Sequence, residues 1–367
     1  MSIVLKNVSK CFGAVSAVHH VSFTVEYGEL VALLGPSGGG KTTVLRMIAG
    51  LENPDEGEIF IGGQRVNDLP VQKRNIGFVF QNYALFKNMN VIKNIAFGLK
   101  VKRWKKSDLG VRVEEMLKLF DIEDLGKRYP HQLSGGQRQR VAIARALAPK
   151  PTVLLLDEPF GAVDAKIRQE LREWLVRLHY DLNVTTLFVT HDQEEAMEVA
   201  KRIVIFSKGI LEQIGSPRDI YDHPANEFVA RFVGVMNVLD CLVADGFARH
   251  HELEFPVSGQ PNGSRVRIGF RPYAVQISPD VTQYRYQAVL RRCYFLGVLL
   301  RLELELPSGF IIRSRITKEE YAQLGLSEDQ EVSFQIRQYR VLAQATAPLP
   351  PEIDSSSANP PILGENI

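Results

Sequence analysis

The segment Gly35-Pro36-Ser37-Gly38-Gly39-Gly40-Lys41-Thr42 constrains this chain more than any other. It matches G-x-x-x-x-G-K-[ST]. It lies between a β-rich run, Leu30-Val31-Ala32-Leu33-Leu34, and a helical run ending near Ala49. Glycines let consecutive backbone N–H groups curl around phosphate oxygens, and the following helix adds its positive end. The spacing therefore predicts a phosphate-binding loop between a buried strand and a helix. Lys41 is placed to reach the β- and γ-phosphates of a nucleoside triphosphate, and the Thr42 hydroxyl to ligate Mg2+. The plainer alternative, a Gly-rich turn that happens to precede a lysine, does not account for the flanking strand and helix.

Four more apolar runs read as strands covered on both faces: Gly77 to Phe80, Val153 to Leu156, Thr186 to Val189 and Ile203 to Phe206. Alternating with helical patterns, they predict an α/β domain with a largely parallel sheet over residues 1–234. A stretch rich in Lys, Arg and Glu, about 90–147, reads as a helical subdomain. Beyond Gly234 the period changes to two, as in Val266-Arg267-Ile268-Gly269-Phe270 and Leu302-Glu303-Leu304-Glu305-Leu306. That pattern predicts a small all-β, OB-like barrel over 235–347. Residues 348–367, rich in Pro and Ser, read as a disordered tail.

Composition removes several classes. Lys plus Arg is 44 and Asp plus Glu 42, so 44 − 42 leaves a formal charge of +2, no mark of a strongly basic nucleic-acid binder. Mean hydropathy is −0.08, and no uncharged apolar run approaches the ~18–20 residues of a membrane span. Met1 to Lys6 reads as a strand, without the apolar core of a signal peptide. Cys11, Cys241 and Cys293 are scattered and odd in number, which suits a reducing compartment.

Two further motifs carry chemistry. Leu154-Leu155-Leu156-Asp157-Glu158-Pro159 ends an apolar strand in two carboxylates, at the sheet edge where open α/β folds bind ligands. Asp157 is assigned to the metal and Glu158 to polarising the attacking water. Leu133-Ser134-Gly135-Gly136-Gln137 opens a second helix with a hydroxyl and free N–H groups, again an anion-binding geometry. Such a turn makes sense if it closes over the γ-phosphate from another subunit.

In this order the residues resemble the ATPase subunits of ATP-binding-cassette (ABC) transporters, and the resemblance covers about residues 1–235. Gly35 to Thr42 and Val153 to Glu158 are similar to that family's two nucleotide motifs, and Leu133 to Gln137 to its signature motif. Gln81 stands like the Q-loop glutamine, His191 like the switch histidine, Phe12 like the aromatic that stacks on adenine, and Gly161-Ala162-Val163-Asp164 like the D-loop. Two positions depart: Gly39 where many members carry Ser or Cys, and Val163 where Leu is usual. The resemblance implies ATP and Mg2+ as ligands. Glu158, His191, Lys41 and Gln81 would be catalytic. Phe12, Gly35 to Thr43, and Ser134, Gly135, Gly136 and Gln137 would bind nucleotide. Thr42, Gln81 and Asp157 would hold the metal. It further implies a head-to-tail pair of copies and two integral membrane permease subunits docked near Gln81–Val91, where Phe86 and Met89 read as docking residues ahead of core ones. A periplasmic solute-binding protein would act indirectly, and the chain would sit peripherally on the cytoplasmic face of the inner, or plastid inner envelope, membrane.

The later strands are similar to the accessory domain of maltose, sulfate, molybdate and iron importers, through Gly269-Phe270-Arg271-Pro272. Residues 77–99, 188–200 and 271–277 resemble the sulfate/thiosulfate branch, which makes that solute the first expectation; iron, molybdate, polyamine and sugar are rivals, as is a soluble ABC ATPase outside transport. Arg265, Arg267, Arg285, Arg291, Arg292, Arg313 and Arg315 make the accessory domain locally basic, which leaves an oxyanion-sensing surface open; nucleic acid is not expected. The pairs His19-His20 and His250-His251 would point to opposite faces if extended, which argues against chelation. Trp104, in a basic run, reads as part of a solvated helical face.

Overall fold

Leu30–Leu34 is buried at every position, because it runs in the middle of a six-stranded sheet. Its parallel neighbours are Thr185–Thr190 on one side and Arg202–Ser207 on the other. Val153–Asp157 and Ile76–Val79 continue the parallel array, and Ile210–Gly215 closes the far edge as an antiparallel strand. The five parallel strands are the five apolar runs of the sequence, each within one residue of the expected span. The helix Lys41–Ala49 packs against this sheet, with Val44, Leu45, Met47 and Ile48 fully buried.

The structure is a computed structural model that describes residues 2–161 and 165–342. Contacts divide the chain into two units, Met1–Asp222 and His223–Ile367. The first holds a second sheet that the sequence shows only as one N-terminal strand: Val15–Val25, Ile3–Phe12, Glu56–Ile61 and Gln64–Arg65, antiparallel in that order. Ile3, Leu5, Val8, Val18 and Val21 from that sheet share a core with Val31, Leu33, Val189 and Phe206 of the parallel one. The helical stretch comprises Val91–Val101, Lys106–Leu119 and Gly135–Leu147. Trp104 lies in the turn between the first two, not on a helical face.

Among its described residues the second unit is all-β apart from two short helices, Glu227–Phe232 at its start and Lys318–Leu324, and a 3-10 turn at Pro272–Ala274. Two five-stranded antiparallel sheets enclose a core that includes Leu239, Phe255, Phe270, Leu302 and Phe334. Leu299–Glu305 alternates half-buried and buried, as its period of two requires. The unit begins earlier than the expected 234/235 boundary. The reason is ion pairing and hydrogen bonding: Arg267 binds Glu227, and Arg271 donates to the carbonyls of Ala230 and Gly234, both at 3.0 Å. Glu227–Phe232 therefore belongs with the β unit. Arg271 is buried, and no apolar side chain could satisfy those carbonyls. Arg271→Met should lower the stability of this unit by roughly 3 kcal/mol, read as a shifted unfolding midpoint in denaturant; an unmoved midpoint would refute the assignment. Within the basic set, Arg267, Arg285 and Arg291 are each held by carboxylates. Residues 343–367, including the expected tail, lie outside the described residues.

Candidate active site

Four neighbouring parallel strands end at one edge of the sheet, and each delivers site residues there. Gly35 follows Leu34, Gln81 follows the strand ending at Val79, Glu158 follows Asp157, and His191 follows Thr190. The register pairs Leu34 with Thr190 and Asp157 with Val189, so these ends are level.

The loop glycines are required by space. A Cβ on Gly35 would lie 2.1 Å from the Phe206 carbonyl oxygen, and one on Gly40 would lie 2.3 Å from that of Ala17. Gly40 also has φ +94, where L side chains are strained. Pro36, Ser37, Gly38 and Gly39 form the intervening turn, with Gly39 N donating to Pro36 O at 3.1 Å. Lys41 opens the helix, and its Nζ donates to the carbonyls of Gly35 and Pro36, both at 2.8 Å. Burial pulls the Lys41 pKa down, against the opposing pull of Glu158 and Asp157.

Thr42 Oγ1 donates to Asp157 Oδ1 at 2.9 Å. Burial pushes the Asp157 pKa up, and the Thr42 hydrogen bond partly offsets it. A hydroxyl and a carboxylate side by side are hard oxygen donors, and the amide of Gln81 keeps its carbonyl oxygen for a third. That donor set suits Mg2+, which takes few protein ligands and relies on substrate phosphates for others. Among the described residues no group of three or more His, Cys, Asp or Glu is arranged to hold a metal by itself.

Glu158 is where the remaining strand ends converge. Gln81 Nε2 donates to its Oε2 at 2.7 Å, and His191 Nδ1 lies 3.3 Å from its Oε1. Its backbone is left-handed, φ +46, and its N–H donates to Val189 O at 3.1 Å. A glutamate held in that region at a strand end is strained backbone of the kind that gathers at functional sites. Asp192 caps the next helix through the N–H groups of Glu194 and Glu195, which fixes the turn carrying His191.

Ser134 caps the helix Gly135–Leu147 in a reciprocal box: its Oγ accepts from Gln137 N–H, and Gln137 Oε1 accepts from Ser134 N–H. Phe12 ends its strand half-exposed, with Lys10 Nζ 5.5 Å from its ring centre. Of the D-loop stretch, Ala162, Val163 and Asp164 lie outside the described residues. Phe86 and Met89 are half-buried, and Phe86 packs on Phe97 with centroids 4.4 Å apart. The histidine pairs do not alternate faces: their rings are 4.5 Å apart in both cases, because His20 and His251 have positive φ, +46 and +49.

Two residues beside this site escape a reading of the sequence. Asn94 is fully buried in the helix Val91–Val101; it accepts from Phe86 N–H and donates to the carbonyls of Phe86, Met89 and Asn90. Arg145 donates to the carbonyls of Tyr83 and Ala84. The only mark of either in the sequence is a polar residue on the apolar face of a helix.

The family description "ABC transporter" matches residues 18–161. The sulfate/thiosulfate import ATP-binding protein of Thermosynechococcus vestitus is 49% identical over 346 residues, 92% of this chain and 97% of that protein. That of Nephroselmis olivacea is 53% identical over 288 residues, 77% of this chain and 84% of that protein. Among solved structures, a dimeric post-hydrolysis ATP-binding cassette bound to ADP and Pi is 36% identical, with a TM-score of 0.54, and covers 59% of this chain and 99% of its own. A second dimeric structure of that bacterial ABC transporter cassette matches equally, with a TM-score of 0.54. On this evidence the chain belongs to the family of ABC transporter ATP-binding subunits, and it is an ATPase.

Proposed function

We propose that this chain is the ATP-hydrolysing subunit of an importer for sulfate or thiosulfate. The similarity to proteins of that name runs through both units of the chain, not the cassette alone. The observation that carries the chemistry is the convergence of Gln81 and His191 on Glu158, beside the Thr42–Asp157 contact.

The residues divide the work as follows. Phe12 offers a face to the purine. The backbone N–H groups between Ser37 and Thr43 and the Lys41 ammonium take the phosphates, which requires Lys41 to exchange its two carbonyl partners for phosphate oxygens. Glu158 accepts the proton of the attacking water, and Gln81 and His191 orient that carboxylate and the water. Thr42, Asp157 and the Gln81 carbonyl would hold Mg2+, which supplies charge neutralisation on the β- and γ-oxygens when bound. Ser134, Gly135, Gly136 and Gln137 of a second copy would cap the γ-phosphate. ATP then becomes part of the interface, and binding drives closure by mass action. Closure moves two membrane permease subunits seated near Gln81–Val91, which a periplasmic solute-binding protein would load. The chain would lie peripherally at the cytoplasmic face; no helix of the described residues is long and apolar enough to cross a membrane.

Uptake of labelled sulfate measures this directly. Cells without the gene should lose uptake, and the native chain should restore it while Lys41→Ala does not. Normal sulfate uptake in the deletion strain would overturn the solute.

A further inference from the structure

The chain leaving Gln81 is bent in an unusual way. Tyr83 and Ala84 both have positive φ, +62 and +43. Neither is Gly, Asn or Asp, the residue types that take this region readily. Two successive left-handed residues of this kind persist only where their surroundings impose the conformation. Here the surroundings centre on one side chain. Arg145 Nη1 donates to Ala84 O at 2.8 Å and Nη2 to Tyr83 O at 3.0 Å, and the guanidinium lies 5.3 Å from the Phe86 ring centre. A rigid fork with parallel donors fits two adjacent carbonyls; an ammonium does not.

Arg145 stands near the end of the helix Gly135–Leu147, the helix that the Ser134–Gln137 turn opens. It therefore fastens that helix to the backbone immediately after Gln81, while Asn94 fastens the far side of the same loop at Phe86, Met89 and Asn90. We infer that Arg145 is a positioning residue for hydrolysis: by holding Tyr83 and Ala84 left-handed it keeps Gln81 in place against Glu158. This rests on the roles proposed above for Gln81 and Glu158. Arg145 reaches the backbone of Tyr83 and Ala84 and the Phe86 ring, and it is not among the residues given above to nucleotide or to proton transfer. Its loss should slow the chemical step and spare nucleotide affinity, which resides at Gly35 to Thr43.

The test uses the purified full-length protein and steady-state ATP hydrolysis. Arg145→Met should lower kcat about ten- to hundredfold, the scale of an ångström-sized misplacement, with KM for ATP unchanged. Arg145→Lys keeps the charge and one donor, and should fall between native and Met. The discriminating variant adds glycine at the bend. Glycine takes positive φ at no steric cost, so Ala84→Gly should recover several-fold of kcat in either Arg145 background. Arginine acting only as packing for its helix would give no such recovery, since Ala84→Gly restores no packing. Gln81→Ala is the reference and should be slow by itself. Unchanged kcat in both Arg145 variants, or no recovery on adding Ala84→Gly, overturns the proposal while a slow Gln81→Ala leaves the catalytic reading standing. A native kcat in Gln81→Ala overturns that reading, and the route through Gln81 with it.

Discussion

Glu158→Gln retains ATP binding and hydrolyses ATP about 10²- to 10⁴-fold more slowly than the native chain, the range expected when a positioned proton acceptor is lost. The amide has the shape of the carboxylate, so its oxygen still accepts from Gln81 Nε2, and the left-handed turn at 158 is no harder for Gln than for Glu. What disappears is basicity. In barrier height the loss is about 3–5 kcal/mol at 1.36 kcal/mol per decade. Equilibrium nucleotide binding and turnover, measured on one preparation, separate the two effects. Turnover near the native rate would remove Glu158 from proton transfer.

Lys41→Ala has the opposite profile. Its ammonium is buried and makes two hydrogen bonds to loop carbonyls, and burial pulls its pKa down against the opposing pull of Glu158 and Asp157. In the proposed nucleotide complex the same donors would serve phosphate. A hydrogen bond to a charged group is worth about 1.5–3 kcal/mol, so the dissociation constant for ATP should rise roughly 10- to 150-fold. The protein without nucleotide loses two hydrogen bonds and sheds a buried charge, terms of opposite sign, so its melting temperature should move little. The rise in melting temperature on adding ATP should shrink accordingly. A full ATP-induced rise in Lys41→Ala would contradict the role given to this residue.

What the sequence displays is what short-range pattern can carry. The five parallel strands are visible because strands buried on both faces leave unbroken apolar runs, and the Leu30–Leu34 run is buried at every residue. The phosphate loop is visible because glycine is forced where Phe206 O and Ala17 O approach the backbone. The antiparallel sheet around Ile3–Phe12 is nearly invisible, since bulges in the pairing of Ile3–Phe12 with Val15–Val25 break the alternation that would mark both strands, and Ile3–Phe12 finds its other neighbour, Glu56–Ile61, more than forty residues away. The left-handed backbone at Glu158, Tyr83 and Ala84 has no local signature either: nothing in those residue types asks for it, and tertiary contacts impose it. For the same reason the pairs His19-His20 and His250-His251 face together where regular strands would separate them. The unit boundary moved because ion pairs such as Arg267–Glu227, not composition, decide which side a short helix joins.

The capping box at Ser134 fixes the polarity of that surface. The hydroxyl oxygen receives the Gln137 N–H, which leaves its own hydrogen to donate elsewhere, beside the amides of a helix's first turn. The Gly35 to Thr43 loop carries the Lys41 ammonium and the start of the helix Lys41–Ala49, both positive. Two electropositive surfaces of this sort repel when brought face to face, and a polyanion between them reverses the sign of the interaction. If two copies pair through these surfaces as proposed, their association would be gated by charge: ADP, with one phosphate fewer, should be the weaker adhesive, and added salt should loosen the pair by screening its glue.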